Sequence, residues 1–590
     1  MQSFYSSVDT CGMAGLFYMS LRRLSRRFPV LAPKAAVVCD EMLASAAGLD
    51  VLRRGGNAAD ATLAMAACMQ VLQPYTMGLG GDCFALHYEP QTKKVRCVDG
   101  CGRSPAALSL ELVKNSKDQR DCSSVEHVSG LQATVPGAAK AWFHIARHFG
   151  SGKMTMSELF APAVHYAQHG FPMDHVKQSV WQLRHKAMLE IPGGRYFLDE
   201  HSCVPALGQT IKNQPLAALL KKFTREGPQA VYKGIVAENI ADAVRRAGGV
   251  LSTQDLADHL ASVEPLDVEP ASATYRGNVK VHTTPLPTQG AVVLQALNIF
   301  ESFQWRGLQE TPGQFEHLMI EALRHAVADG LRYVADPATG GSLEKMVSKE
   351  HAQRCAEMLN PDRREETVYP EQAPTPGRSG TTFMAAVDDT GNVCALMGSN
   401  SEFFGCTVVE EQGICIQTRA TGFNKVPGHP NCVGPRKKPY HSVMPVMLTD
   451  AKSGAWLGTL GSMGGIIQTS IITQLLLNML ELGLDPQESL ARPRFLLGSP
   501  NRTHPDDPLL VEATYPKDVL QALKNRGHSI KDKYVDPRTH GAGHANIMAK
   551  ASLWCAKEDD RNTVAGEHYA DDGPTWCGVE PRINGSALGR

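Results

Sequence analysis

The chain has 590 residues, 59 Lys and Arg against 60 Asp and Glu, a formal charge of -1 and 43% hydrophobic residues. That composition excludes a disordered chain, and the balanced, scattered charge supplies no field to attract a nucleic-acid backbone. Fifteen cysteines, an odd number with no CxxC pair, read as free buried thiols of a reducing compartment and point to the cytosol.

At the N-terminus an apolar stretch from Cys11 to Leu21 precedes Arg22, Arg23, Arg26 and Arg27. This is the reverse of a signal peptide's order, and the stretch is too short to span a bilayer. Helical periodicity predicts helices over residues 43–54, 58–72, 137–148 and 156–169, several closed by glycine. Short strand-like runs occupy 84–98 and 278–284. Phe315, Leu318, Met319, Ala322, Leu323 and Ala326 follow helical spacing and predict a core-facing helix. Pro370, Pro374, Pro376, Gly377 and Gly380 mark an exposed linker. Directly after it, 381–387 and 393–397 form a β-hairpin around Asp388-Asp389-Thr390-Gly391-Asn392, with both faces apolar and therefore buried. A hydroxyl residue thus begins a central strand. Composition and element order by themselves give an α+β chain.

Gly380-Thr381-Thr382-Phe383, followed by Val387-Asp388 and Gly391-Asn392-Val393, resembles the cleavage site of the γ-glutamyltransferase family of N-terminal nucleophile hydrolases. Ser399, Phe404-Gly405, Gly413-Ile414, Pro439-Tyr440-His441-Ser442 and Gly464-Gly465 with Gln468 follow in that family's order, and Gly78-Leu79-Gly80-Gly81-Asp82 and Arg103-Ser104-Pro105 precede it. The resemblance implies a four-layer αββα sandwich. It also implies a precursor that cuts itself between Gly380 and Thr381, giving an N-terminal extension (1–28), a large chain (29–380) and a small chain of 210 residues (381–590), the two chains forming one body. The physics agrees, because a threonine freed at a new N-terminus carries its own base, an α-amine with a pKa of about 7.7–8.0. By the same resemblance, Ser399 supports the nucleophile, Gly464 and Gly465 amides form the oxyanion hole, and no metal or organic cofactor is needed. His540 and His544 sit in a glycine-broken stretch that does not suit a metal pair.

The substrate side departs from the family pattern. Arg103 matches a carboxylate-binding arginine and Ser442 one of two adjacent serines, the other being His441. The acidic positions that hold an α-ammonium group fall on Arg419 and Gly422, and an asparagine position falls on Ser401. Residues 419–423 and Gly428-His429-Pro430-Asn431 resemble instead the glutathione hydrolase-like YwrD subgroup. His441 is placed with the substrate set but reads as a structural histidine, since an N-terminal nucleophile already owns a base. Arg103 and Arg419 are expected to approach one acyl donor bearing an anionic group. The implied activity is a self-cleaving threonine hydrolase, or transferase, of γ-glutamyl amides such as glutathione. An amidase acting on another carboxylate-bearing amide and a catalytically dead binding protein are the alternatives. A small-molecule amide is the expected partner, with no nucleic acid and no clear membrane span.

Overall fold

Side chains alternate strictly along the strand Gly380–Val387: Phe383, Ala385 and Val387 enter one apolar cluster, Met384 and Ala386 another. Its partner Val393–Ser401 does the same, with Ala395 and Met397 on the first side and Cys394 and Leu396 on the second. A strand buried on both faces must be covered twice. The first cluster is the seam between two sheets; the second lies under helices. The computed structural model that gives this arrangement describes residues 27–116, 128–264, 266–304, 311–368, 380–497, 506–531, 543–555, 573–583 and 585–590. The N-terminal extension up to residue 26, the stretch just before Gly380, and His540 lie outside them.

Two antiparallel seven-stranded sheets form the middle of the molecule. One runs Ser586–Gly589, Ala36–Cys39, Gly380–Val387, Val393–Ser401, Asp82–Glu89, Lys94–Gly100, Asp267–Val268. The other runs Val30–Ala32, Thr575–Gly578, Ala545–Lys550, Trp456–Ser462, Val446–Asp450, Val279–Thr283, Ala271–Tyr275. Phe84, Phe383, Met447, Trp456 and Met548 fill the seam between them. Helices Met42–Arg53, Ala58–Leu72 and Ala138–His148 cover the first sheet, with Met156–His169 packed on Ala58–Leu72; Gly290–Phe300 and Gln468–Leu480 cover the second, with Gln314–Tyr333 packed on Gly290–Phe300. This is an α+β sandwich in four layers, and both sheets mix strands from either side of the Gly380–Thr381 junction.

The predicted helices reappear within a residue or two, with Ala58–Leu72 and Met156–His169 matching at both ends. Local chemistry accounts for this. Asn57 and Asp60 close a reciprocal capping box, and Thr155 and Glu158 close another. The hairpin turn is tied to the first of these helices, since Asp388 Oδ2 accepts the Ala58 amide at 3.0 Å. The helix Gln314–Tyr333 differs from expectation in being buried on nearly every face, including Glu321, Arg324 and Asp329. Glu321 and Arg324 pair with each other at 2.8 Å, and other charges meet partners far away in sequence, such as Arg492 to Glu316 at 2.8 Å. No helix among the described residues is long and apolar enough to cross a membrane. The described cysteines are all unpaired and most are buried.

Burial also makes the molecule acid-sensitive. Desolvation depresses His87, His282 and His441 to about 4 and His528 to about 2. The unfolded chain takes up protons near pH 6.5, where these folded imidazoles refuse them. The stability they confer is therefore complete above pH 6.5 and lost as pH falls towards 4. Every tenfold loss of proton affinity on folding corresponds to about 1.4 kcal/mol, against a total stability of about 5–15 kcal/mol. The melting temperature is expected to drop by several degrees between pH 7 and pH 5; a melting temperature level across that range contradicts this assignment.

Candidate active site

The register of the hairpin breaks at one place. Gly380 faces Ser401 and Thr381 faces Ser399, so Asn400 is the extra residue of a bulge that sits opposite the Gly380–Thr381 peptide bond. Asn400 is held out of the ladder: its amide donates to Thr76 O (2.7 Å), its Nδ2 to Pro74 O (3.0 Å), and its carbonyl accepts from Thr418 (3.1 Å). Ser401 beyond it is left-handed at φ 67°, a conformation that costs a non-glycine residue energy and that clusters at functional sites. Gly380 has no alternative as a residue, since a Cβ there would lie 2.6 Å from Tyr75 O and 3.1 Å from Glu402 O.

Thr381 and Ser399, both fully buried, keep the inter-sheet alternation of Phe383 and Met397, and their hydroxyls lie 2.9 Å apart. Ser399 Oγ donates to the Gly380 carbonyl at 2.9 Å. In its contact with Thr381 Oγ either hydroxyl can donate. Ser399 Oγ also accepts from the Ser401 amide (3.0 Å) and from Arg419 Nη2 (2.7 Å). These two donors fill both lone pairs of that oxygen.

Arg419 is 3% exposed, in the single turn Arg419–Gly422. Its Nη1 reaches Ser442 Oγ and its Nε reaches Asp82 Oδ2, each at 3.3 Å. Burial draws its guanidinium below the ordinary range and Asp82 opposes that shift, so it stays a cation. Asp82 Oδ2 also faces His441 Nε2 at 3.3 Å, while His441 Nδ1 accepts the Val443 amide at 3.1 Å. Those partners assign the ring proton to Nε2 and leave no nitrogen for a proton shuttle. Asp82, Cys101 and His441 stand close enough to share an ion, but the Asp82 oxygen is already in the Arg419 ion pair.

Gly464 (φ 129°) and Gly465 (φ 63°) form a turn at the end of Trp456–Ser462. A short 3-10 turn, Gly465–Ile467, leads from the pair into the helix Gln468–Leu480. Gln289 Nε2 clamps the turn to the substrate side by donating to Gly465 O (2.9 Å) and Ser442 O (2.8 Å). Gly458 and Gly461, just upstream, lie inside the strand, where a Cβ at Gly461 would meet the Phe383 ring at 2.2 Å. They serve close packing of the sheets.

Hydrogen bonds therefore link Thr381, Ser399, Arg419, Ser442 and His441 into one network, with Ser401 joined through its amide and 3.5 Å from Thr421 by its hydroxyl. Arg103 stands apart. Its guanidinium is engaged by Glu264, by Asp336 and by the Arg436 carbonyl, and only the neighbouring Gly102 amide touches Asp82, at 3.4 Å. Sequence reasoning missed Asp82 and Gln289 as site residues. Asp82 stood in the glycine-rich motif already noticed; Gln289 follows Pro285-Leu286-Pro287, a turn signal with no chemical signature.

Comparison with known proteins places this geometry. The sequence model of the family described as gamma-glutamyltranspeptidase matches residues 44–569. The chain belongs to the γ-glutamyltranspeptidase family. It is 29% identical to the glutathione hydrolase-like YwrD proenzyme of Bacillus subtilis over 95% of this chain and 99% of that one. It is 27% identical to the acylase ACY 1 proenzyme of Pseudomonas sp. (strain SE83), over 90% and 93%. Among solved structures, cephalosporin acylase from Bacillus halodurans superposes with a TM-score of 0.82 at 30% identity, covering 96% of this chain and 97% of that one. Relatives in the family thus include proteins named glutathione hydrolases and acylases, and the chain shares the fold of N-terminal nucleophile hydrolases.

Proposed function

We propose that the chain cuts itself before Thr381 and then hydrolyses small amides whose acyl group carries a carboxylate and no α-ammonium. The observation that carries this reading is the buried Arg419, 2.7 Å from Ser399 Oγ, where the glutathione-cleaving pattern has acids. A γ-glutamyl donor brings an ammonium group towards that guanidinium, and the carboxylate beside it, Asp82, is already shared by Arg419 and His441. Like charges in a buried site repel strongly, whereas a distal carboxylate is attracted. Arg103, whose donors are held by Glu264 and Asp336, contributes to substrate binding only by exchanging those partners.

In the reaction, Thr381 Oγ attacks the amide carbonyl while the freed Thr381 amine takes its proton. The Gly464 and Gly465 amides stabilise the oxyanion, and the amine returns the proton to the leaving nitrogen. Water then releases the acyl group. Parallel assays with glutaryl-, γ-glutamyl- and butyryl-p-nitroanilide test the specificity. Glutaryl is expected to exceed both others by at least about tenfold in kcat/KM. A preference for γ-glutamyl sinks the ammonium argument and favours the glutathione hydrolase reading that several relatives' names support.

A further inference from the structure

The bonds around Ser399 serve the uncut chain. The acceptor of its hydroxyl is the carbonyl of the bond to be broken, and its oxygen lies 2.9 Å from the hydroxyl that must attack. Self-cleavage moves acyl from nitrogen to oxygen: Thr381 Oγ bonds to the Gly380 carbonyl carbon and the Gly380–Thr381 C–N bond breaks. The proton leaving Thr381 Oγ ends on the Thr381 nitrogen, and water later opens the ester to a Gly380 carboxylate. Negative charge gathers first on Thr381 Oγ and then on Gly380 O. Both atoms are hydrogen-bonded to one oxygen, Ser399 Oγ, and the shortest bond to that oxygen comes from a buried cation, Arg419 Nη2 at 2.7 Å.

We propose that Arg419 is a positioning residue for maturation: acting through Ser399, its charge stabilises the oxyanion of self-cleavage, a task separate from the Gly464 and Gly465 amides used in turnover. A hydroxyl that accepts from a guanidinium is a better donor to the carbonyl beyond it, and it passes that polarisation across two short bonds without touching the reacting atoms. The Ser401 amide holds the same oxygen from the bulge side, which gives the strained φ of Ser401 a purpose. Asp82, 3.3 Å from Nε, keeps the guanidinium plane aimed at Ser399. The inference rests on Thr381 being the nucleophile.

Self-cleavage needs no substrate, so it is read directly as disappearance of the full-length band of freshly purified or cell-free-translated protein. Arg419→Met is expected to slow the first-order cleavage rate at least about tenfold, Arg419→Gln similarly, and Arg419→Lys less than either, because lysine restores the charge without the fork. A role in packing alone predicts instead that Gln, neutral and able to donate, performs as well as Lys. If Arg419→Met is insoluble, the Lys and Gln variants carry the same comparison, both retaining a donor and only one the charge. Arg419 variants that cleave at the wild-type rate, or Gln matching Lys, overturn the proposal. Wild type that cleaves while Thr381→Ala does not leaves the nucleophile assignment standing whatever Arg419 does. Wild type that stays whole removes that assignment, and this inference falls with it.

Discussion

Thr381→Ala is expected to leave one chain of 590 residues and to lower amide hydrolysis by at least about 10⁴-fold. Two losses coincide in that variant. Without Oγ there is no nucleophile for the Gly380 carbonyl, so no new N-terminus appears; without the N-terminus there is no α-amine to act as base. Alanine fits the strand, since the site is fully buried and the change removes only a hydroxyl and a methyl, so the effect is chemical and the melting temperature should change little. Thr381→Ser keeps the hydroxyl and is expected to mature, more slowly, with part of the activity. Electrophoresis of the purified variants and a p-nitroanilide assay read both outcomes. Full activity in an uncut Thr381→Ala chain is incompatible with the assignment.

The second large effect belongs to the glycine turn. Gly464 stands at φ 129°, a region side chains avoid, and a Cβ there would lie 2.8 Å from Ile467 Cγ1. Gly464→Ala must therefore rotate the peptide whose amide we propose faces the developing oxyanion, while Gln289 still pins the Gly465 carbonyl. Loss of one such donor costs about 10²–10³ in kcat. KM is expected to change little, because the donor acts mainly on the transition state. Self-cleavage should proceed, since there the Gly380 carbonyl already has Ser399. A variant that turns over normally would show the oxyanion hole to lie elsewhere.

Much of this was legible in the sequence because it is local. Capping residues such as Asn57 and Thr155 fix helix starts, and the alternation from Phe383 to Val387 fixes a strand buried on both faces. The order of Thr381, Ser399 and Gly464-Gly465 along the chain was enough to suggest the chemistry by resemblance. What stayed hidden depends on contacts between distant segments. Arg103 reads as a carboxylate ligand until Glu264 and Asp336 are brought to it. Asp82 joins Arg419 and His441 only when three distant segments meet. The bulge at Asn400 has no signature of its own, since neither glycine nor proline marks it; it exists because Thr76, Pro74 and Thr418 claim its polar groups. Gly458, Gly461 and Gly464 look alike in a sequence, and only the Phe383 ring separates packing glycines from the turn.

The central claim is that Thr381 becomes an N-terminus. Intact-mass measurement of the purified wild-type protein, with N-terminal sequencing of each fragment, tests it before any substrate is chosen. Two co-purifying chains are expected, the smaller of 210 residues beginning Thr381-Thr382-Phe383. A soluble protein that remains a single 590-residue chain, or a fragment beginning at another residue, contradicts it.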